Sequence, residues 1–397
     1  MPTEVSSKTR FFTESVIREM TRRALQRGAV NLAQGFPDFS APEQLKEAAK
    51  RAIDEDYNQY VVTHGSPNFR AAIAEKARAY NQLEYDPDLN ITVTCGATEA
   101  MVASLLAVIN PGDEVIIFEP FYENYGPDTI LAGATPKYVA LRDPNYSIDS
   151  AELAAAFSPR TKAIIVNTPH NPTGKVFSRA ELETIAALCC RYDTLAITDE
   201  IYEHIIFGET RHLSLATMPG MAERTITISG LSKTYSVTGW RLAYAIACER
   251  LTSAVRKVHD FLTVGAPHPL QEAGAAALRL PSSFYTELAA TYQRKGAMLF
   301  EALNAAGLKC RAPQGAYYIM ADIGEMGFRD DFEAADFMLD EVGIAAVPGS
   351  SFYHRRELGR HILRFTFSKS ETTLAAAAER LKLLDPKLKV YRNRRTE

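Results

Sequence analysis

The 397-residue chain lacks an excess of basic residues. Its 44 lysines and arginines are outnumbered by 48 aspartates and glutamates, which gives a formal net charge of −4 at pH 7. Proteins that bind nucleic acid need basic side chains to neutralise phosphates. The composition therefore argues against nucleic acid as the main partner.

The chain also has few cysteines and no metal-ligand pattern. The five cysteines are odd in number and include no Cys-x-x-Cys pair. Four of the histidines, His64, His170, His204 and His268, have no partner at a usual metal-ligand spacing. We therefore expect reduced thiols in a reducing compartment and no metal site.

Long hydrophobic runs are missing as well. No apolar stretch approaches the ~20 residues that a membrane-spanning helix needs, and the first ten residues have no apolar core for export. Hydrophobic residues make up 46% of the chain and charged residues 23%, which are ordinary globular values. We expect a cytoplasmic protein of two domains, with no membrane partner.

What the chain does have is an alternation of short apolar runs with helical patterns. Strands are predicted over residues 91–94, 114–118, 162–166, 194–198, 225–228 and 242–247. Ser178 and Glu181 have the spacing of a capping box that begins a helix. Near-continuous apolar strands between helices indicate an α/β fold whose mostly parallel sheet is covered by helices on both faces.

Towards the C-terminus the pattern changes. Long helical stretches come first, and short strands near 317–320 and 362–367 then interrupt them. We predict a large domain over residues 46–284 and a smaller α/β domain formed by residues 1–45 and 285–397.

Three polar segments follow predicted strands. Asn167 begins one, Asp199 lies in the second, and Lys233 follows the run 225–228 amid hydroxyls and glycines. Ligands of parallel sheets collect at the carboxyl ends of the strands, so these residues are expected to form one site. A lysine so placed is suited to form an imine with an aldehyde cofactor.

With these motifs the chain resembles the class I/II aminotransferases of the fold-type-I pyridoxal-phosphate family, over nearly its full length. Residues 31–39, Asn-Leu-Ala-Gln-Gly-Phe-Pro-Asp-Phe, are similar to the branch acting on kynurenine, glutamine and methionine. The resemblance implies pyridoxal 5'-phosphate as the cofactor. It also implies ping-pong transfer between amino acids and 2-oxo acids in a homodimer with shared active sites.

The resemblance assigns roles around the cofactor ring. Lys233 would hold the cofactor and, once freed by substrate, would carry a proton between the substrate α-carbon and the cofactor. This requires burial and nearby positive charge to lower the pKa of its amine. Asp199 would keep the pyridine nitrogen protonated. Tyr202 and Asn171, with Asn167, would bond the 3-oxygen, and Tyr122 would stack on the ring.

The phosphate is assigned to a second group of residues. Gly96, Ala97 and Thr98 form a strand-to-helix turn whose N–H groups suit an anion. Arg241 and either Ser229 or Ser232 would add side-chain donors. Tyr60 would reach the phosphate of the neighbouring subunit. The chain departs from the family pattern at Gly230, often serine, and at Ala243, often glycine.

For the substrate, Arg364 would bind the α-carboxylate through two parallel hydrogen bonds. Gly35 would let the backbone approach that carboxylate, and Phe36 and Asn171 would also contact the substrate. The aromatic residues Phe36, Tyr60, Tyr122 and Tyr125 favour aromatic, methionine, glutamine or broad specificity.

Other activities fit the same residues. A cation for a distal carboxylate, which an aspartate aminotransferase needs, is not apparent in the sequence. Aspartate transfer and carbon–sulfur β-elimination are therefore the alternatives, since the fold does not fix the reaction. A cofactor-sensing domain of a transcription regulator is disfavoured by the negative charge.

Overall fold

The computed structural model describes residues 5–396, with side chains through residue 393. Residues 1–4 and 397, which the predicted small domain includes, lie outside the described part. The α-helices are α1 (Val16–Arg27), α2 (Glu43–Asp54), α3 (Pro67–Lys76), α4 (Ala97–Val108), α5 (Tyr125–Leu131), α6 (Ser150–Ala156), α7 (Arg179–Tyr192), α8 (Glu249–Thr263), α9 (His268–Leu278), α10 (Ser282–Ala305), α11 (Asp331–Phe337), α12 (Glu371–Leu381) and α13 (Leu384–Thr396).

The strands within residues 5–396 form three sheets. They are β1 (Val30–Asn31), β2 (Ile91–Thr94), β3 (Glu114–Glu119), β4 (Thr135–Arg142), β5 (Ser147–Ile148), β6 (Thr161–Asn167), β7 (Leu195–Asp199), β8 (Thr225–Gly230), β9 (Ala243–Ile246), β10 (Lys309–Cys310), β11 (Tyr318–Asp322), β12 (Ile344–Ala345), β13 (Val347–Pro348) and β14 (Ile362–Thr366). The largest sheet has eight strands in the order β2-β9-β8-β7-β6-β3-β4-β5. Its central pairs are parallel, while β9 and the edge strand β5 run antiparallel to their neighbours. The prediction of a mostly parallel α/β sheet is confirmed.

Helices cover both faces of this sheet because its strands alternate between two cores. Ile117 and Ile165 pack in one core with residues of α4 and α8. Their neighbours Ile116 and Ile164 pack in another core with residues of α7. Both kinds of position are buried, so the strands read as continuous apolar runs in the sequence.

The capping box is present at the start of α7. The Ser178 hydroxyl accepts a hydrogen bond from the Glu181 N–H, and the Glu181 carboxylate accepts one from the Ser178 N–H. These bonds satisfy donors that an open helix end would leave unpaired.

The sequence pattern did not reveal β4. This strand lies next to the edge strand β5, and its first four residues are exposed or half-buried. It therefore lacks the apolar run that marks the central strands.

A second, four-stranded antiparallel sheet has the order β10-β11-β14-β13. The short strand β1 pairs in parallel with β12, which joins the N-terminal segment to the C-terminal part of the chain. The boundaries of the two domains stay a prediction.

Two properties of the described residues bear on the expectations of reduced thiols and of no membrane partner. All five cysteines are free thiols. No helix between residues 5 and 396 has the length and apolar character to cross a membrane.

Candidate active site

A cavity of about 170 Å³ lies at the carboxyl ends of β6, β7 and β8. Asn167 ends β6, Asp199 ends β7, and Lys233 follows the end of β8. We call it the active-site cavity. Twelve of the residues predicted to bind cofactor or substrate line it: Gly35, Ala97, Thr98, Tyr122, Asn167, Asn171, Asp199, Tyr202, Ser232, Lys233, Arg241 and Arg364.

Lys233 projects its ammonium nitrogen into this cavity. Its Nζ lies 3.5 Å from the carbonyl oxygen of Gly35 and 5.9 Å from the centroid of the Tyr202 ring. The pKa of Lys233 is lowered to about 8, mainly by burial; the carboxylate of Asp199 raises it, and the positive charges of Arg241 and Arg364 lower it. A larger fraction of neutral amine follows, which is the form that attacks an aldehyde or accepts a proton.

Asp199 is held by two hydrogen bonds. Its Oδ2 accepts a bond of 2.7 Å from the Tyr125 hydroxyl, and its Oδ1 accepts one of 3.2 Å from the Ile201 N–H. Burial raises the pKa of Asp199, while these two bonds and the charge of Lys233 lower it. A fixed carboxylate with raised basicity is suited to hold the proton of a heteroaromatic nitrogen.

The sequence did not predict the hydrogen bond between Tyr125 and Asp199. It indicated Tyr125 only as an aromatic residue that lines the substrate pocket. No motif marks it, since the bond joins residues 74 positions apart.

Two asparagines tie the strand ends together. Asn167 Nδ2 donates to the Asp199 carbonyl oxygen at 2.8 Å, and Asn167 Oδ1 accepts from the Asn171 N–H at 2.7 Å. Asn171 Oδ1 in turn accepts from Arg364 Nη1 at 3.0 Å. Tyr202 shares a 3.0 Å hydroxyl contact with Tyr318, a cavity residue that the sequence analysis had not singled out.

Arg364 is buried in β14 at 1% exposure. Its Nη2 donates to the Ala33 carbonyl oxygen at 2.6 Å, and its Nε has no hydrogen-bond partner. The guanidinium lies 4.4 Å from the Tyr318 ring centroid and 4.7 Å from that of Phe352. No carboxylate in the described part of the chain forms an ion pair with it, so its charge is available to an anionic ligand.

Another part of the cavity wall has the features of an anion-binding site. Gly96 precedes α4 with a φ of +87°, and a Cβ atom there would lie 2.3 Å from Arg241 Nη2. Only glycine lets the arginine approach the helix N-terminus so closely. Ala97 and Thr98 of the first turn, together with Ser232, complete this part of the wall. A helix N-terminus beside a guanidinium fits a phosphate ester, so these residues fit pyridoxal phosphate.

Four predicted site residues do not line the cavity. Ser229 instead donates a hydrogen bond of 2.5 Å to Glu203 Oε1, so Ser232 is the serine at the cavity wall. Phe36 stacks under Lys369, whose Nζ lies 4.0 Å from the ring centroid, rather than facing the cavity. Gly96 lies behind Arg241, and Tyr60 is 88% exposed.

The two departures from the family pattern are neighbours in space. Gly230 and Ala243 are opposite each other on the antiparallel strands β8 and β9. A Cβ atom on Gly230 would lie 2.6 Å from the Cβ of Ala243. The alanine methyl therefore takes up part of the space that a side chain at position 230 would need, and the Cα of Ala243 at 2.8 Å and the carbonyl oxygen of Leu242 at 2.9 Å from that Cβ position restrict it as well.

We expect Gly230→Ser to destabilise the protein by about 1–3 kcal/mol, because overpacking forces neighbouring atoms apart. Adding Ala243→Gly should recover part of this loss, because it removes the methyl group but leaves the Cα of residue 243 and the carbonyl oxygen of Leu242 within 3 Å of the added Cβ atom. Urea unfolding of both single variants and the double variant measures the coupling. Additive effects would show that the two positions do not compete for the same space.

One cluster bears on the prediction that no metal binds. Carboxylate oxygens of Glu200 and Glu203 and a nitrogen of His212 lie within 4.8 Å of one another. Glu203 accepts bonds from Lys76, Ser229 and Asn81. Glu200 accepts bonds from Thr198 and Ser214 and pairs with His212. Protein donors thus satisfy both carboxylates.

Comparisons with known proteins agree with this geometry. Residues 27–381 match the model of the family "Aminotransferase class I and II". The probable N-succinyldiaminopimelate aminotransferase of Mycobacterium tuberculosis is 38% identical over 95% of this chain and 98% of its own length. A solved structure of the N-succinyldiaminopimelate aminotransferase of that organism matches with a TM-score of 0.94 and covers 96% of this chain and all of its own. Methionine aminotransferase of Escherichia coli is 37% identical over 93% of this chain and 96% of its own. Human kynurenine–oxoglutarate transaminase 1 is 36% identical over 92% of this chain and 94% of its own length. The chain belongs to the class I and II aminotransferases, which are pyridoxal-phosphate-dependent enzymes of the fold-type-I class.

Proposed function

We propose that this aminotransferase accepts a broad range of amino acids, including aromatic ones, methionine and glutamine, as donors to a 2-oxo acid in a ping-pong cycle. The observation that supports this most directly is that Lys233, Asp199 and Arg364 meet in one cavity. Each carries one chemical requirement of amino transfer: a proton-carrying amine, a carboxylate for a ring nitrogen and a cation for the α-carboxylate.

The cofactor is proposed to lie along the line from Arg241 to Asp199. The α4 N-terminus with Thr98, Ser232 and Arg241 would hold the phosphate. Asp199 would pair with the pyridine nitrogen, and Tyr122 would cover the ring. Tyr202, Asn171 and Asn167 would surround the 3-oxygen. When bound, pyridoxal phosphate supplies an electron sink for the electron pair of the substrate α-carbon.

Lys233 is proposed to move the proton. Its lowered pKa leaves a useful fraction of neutral amine near neutral pH, as general base catalysis requires. The nearby Gly35 carbonyl oxygen can accept a hydrogen bond from the protonated form, at the present separation of 3.5 Å. Gly35 itself has no room for a side chain, since a Cβ atom would lie 2.1 Å from the Tyr318 hydroxyl oxygen.

Arg364 is proposed to bind the α-carboxylate, with Asn171 fixing one edge of its guanidinium. The side chain of the substrate would then lie towards the rings of Tyr122 and Tyr318, which line the cavity. The relatives are named for methionine, kynurenine and N-succinyldiaminopimelate, a range that favours broad specificity.

We further propose a cytoplasmic homodimer with shared active sites. Tyr60 is 88% exposed and Phe261 is 92% exposed, so both can contact a second subunit. The free cysteines suit a reducing compartment. The division into residues 46–284 and residues 1–45 with 285–397 is retained as the proposed domain organisation.

A donor scan on the purified enzyme loaded with pyridoxal phosphate tests the proposed specificity. Kynurenine, phenylalanine, methionine, glutamine and aspartate would each be supplied with 2-oxoglutarate or pyruvate. We expect fast turnover of aromatic and sulfur amino acids. Dominant aspartate turnover would contradict the proposal. Release of pyruvate from cystathionine without added oxo acid would assign the β-lyase activity instead.

Replacing Arg364 with glutamine should raise KM for every donor by roughly 10- to 100-fold, the cost of losing a charged hydrogen-bonding partner. Steady-state kinetics with methionine and phenylalanine measures this. The rise in KM should be similar for both donors, because both carry the same α-carboxylate. A loss confined to one donor would place Arg364 at the side chain instead.

A further inference from the structure

Three buried tyrosines, Tyr202, Tyr317 and Tyr318, pack together at the active-site cavity, and we call them the tyrosine cluster. The hydroxyl oxygens of Tyr202 and Tyr318 lie 3.0 Å apart, and both residues line the cavity. The rings meet edge to face, with the Tyr202 centroid 5.1 Å from that of Tyr317 and 6.0 Å from that of Tyr318. The direction of the hydrogen bond between Tyr202 and Tyr318 determines how the cluster acts on a ligand.

The hydroxyl protons of the tyrosine cluster can be assigned one by one, because each tyrosine has a single proton to donate. The Tyr317 hydroxyl donates to the carbonyl oxygen of Gly35 at 2.8 Å, and a carbonyl oxygen can only accept. In the proposed function, the Tyr202 hydroxyl donates to the 3-oxygen of the cofactor. The remaining proton belongs to Tyr318, so Tyr318 donates and Tyr202 accepts when the cofactor is bound.

Arg364 makes Tyr318 the stronger donor of this pair. Arg364 on β14 lies opposite Met320 on β11, and Tyr318, two residues before Met320, is on the same face of the sheet. The guanidinium carbon is 4.4 Å from the ring centroid of Tyr318. Burial raises the pKa of Tyr318, while the charge of Arg364 and the hydrogen bond with Tyr202 lower it. The pKa of Tyr202 is raised well above its usual range, mainly by burial, and the bond with Tyr318 raises it too.

We propose that Tyr318 is a positioning residue that donates to Tyr202 and thereby strengthens the hydrogen bond from Tyr202 to the 3-oxygen of the cofactor. A hydroxyl that accepts a hydrogen bond becomes a better donor, an effect of roughly 10–30% per bond. The inference rests on the proposed function, because it requires the cofactor to lie against Tyr202. It gives Tyr318 a role towards the cofactor in addition to its place in the cavity wall.

The strength of the bond to the 3-oxygen sets a pKa that can be measured. The 3-oxygen carries negative charge beside the nitrogen that joins Lys233 to the cofactor, and this charge favours a proton on that nitrogen. A donor to the 3-oxygen draws the charge away, so the nitrogen loses its proton at a lower pH. Removing the Tyr318 hydroxyl should therefore raise the pKa of the nitrogen. The charged groups that face Lys233, namely Asp199, Arg241 and Arg364, remain in every variant used below.

A pH titration of the visible absorbance of the enzyme loaded with pyridoxal phosphate, without substrate, measures this pKa. We expect Tyr202→Phe to raise it by about 1–2 pH units, the loss of one hydrogen bond to a charged group. Tyr318→Phe should raise it by roughly 0.3–0.6 unit, or about 30% of that shift, because the buried pair lies in a low dielectric. The ring of residue 318 is kept, so its contact with Arg364 remains.

The double variant Tyr202→Phe with Tyr318→Phe tests whether Tyr318 acts through Tyr202. It should titrate like Tyr202→Phe alone, because the bond that Tyr318 strengthens is then absent. Tyr292→Phe is the matched control. The Tyr292 ring stacks on Tyr317 with centroids 5.6 Å apart, but Tyr292 does not line the active-site cavity. This control should titrate like the wild-type enzyme.

Other results would overturn the inference. An unchanged or lowered pKa in Tyr318→Phe would show that Tyr318 does not support the bond to the 3-oxygen. A further rise in the double variant over Tyr202→Phe would show that Tyr318 acts without Tyr202. A shift of similar size in Tyr292→Phe would assign the effect to ring packing. If the loaded wild-type enzyme lacked the absorbance or transaminated no donor, the proposed function itself would be refuted, and the inference with it.

Discussion

Replacing Lys233 with alanine is expected to lower kcat for amino transfer by roughly 10⁴-fold, at the upper end of what a proton-transferring group contributes. The variant should also lose the visible absorbance that arises when the cofactor is joined to a lysine. Both effects follow because Lys233 is the one lysine that lines the active-site cavity among the described residues. Stopped-flow turnover and a visible spectrum of the purified variant measure them.

Lys369 provides a matched control. Burial lowers its pKa to about 8 as well, but its Nζ donates to the carbonyl oxygens of Gln34 and Phe36 and it does not line the cavity. Lys369→Ala should therefore keep the absorbance. Lys233→Arg tests charge alone, since a guanidinium stays protonated and cannot accept the proton. Activity retained in Lys233→Arg would contradict the assigned role.

Much of this site could be predicted from the sequence, because the end of a buried strand can be recognised from a short stretch of residues. Asn167, Asp199 and Lys233 each follow a buried apolar run, and the runs belong to adjacent parallel strands. Parallel neighbours present their carboxyl ends on one edge, so three separate motifs predicted one location. The capping box of Ser178 and Glu181 could be predicted for a similar reason, because its two residues are only three positions apart.

Contacts between segments that are far apart in the chain could not be predicted from the sequence. The choice between Ser229 and Ser232 depends on which side of β8 each side chain leaves, and Ser229 turns towards Glu203. Tyr125 and Tyr318 carry no motif, and they line the active-site cavity because the starts of α5 and β11 lie beside it. Phe36 lies in a family motif, yet its ring pairs with Lys369 instead of facing the cavity.

Replacing Asp199 with asparagine is expected to lower kcat by about 10³-fold, within the range for removing a group that holds a proton during the reaction. An amide of nearly the same shape cannot carry the negative charge that keeps a ring nitrogen protonated. It also has one oxygen where Asp199 uses two, so it cannot accept from both Tyr125 and the Ile201 N–H. Steady-state kinetics should show the loss in kcat, with KM changed far less, because Arg364 still binds the α-carboxylate.

Tyr125→Phe separates charge from orientation. It removes the 2.7 Å hydrogen bond but leaves the carboxylate in place. That bond lowers the pKa of Asp199, so its loss should raise the pKa further without removing the negative charge. We therefore expect kcat to fall only about 10-fold, the scale of one hydrogen bond to a charged group. A fall as large as that of Asp199→Asn would mean that orientation by Tyr125, rather than the charge of Asp199, carries the effect.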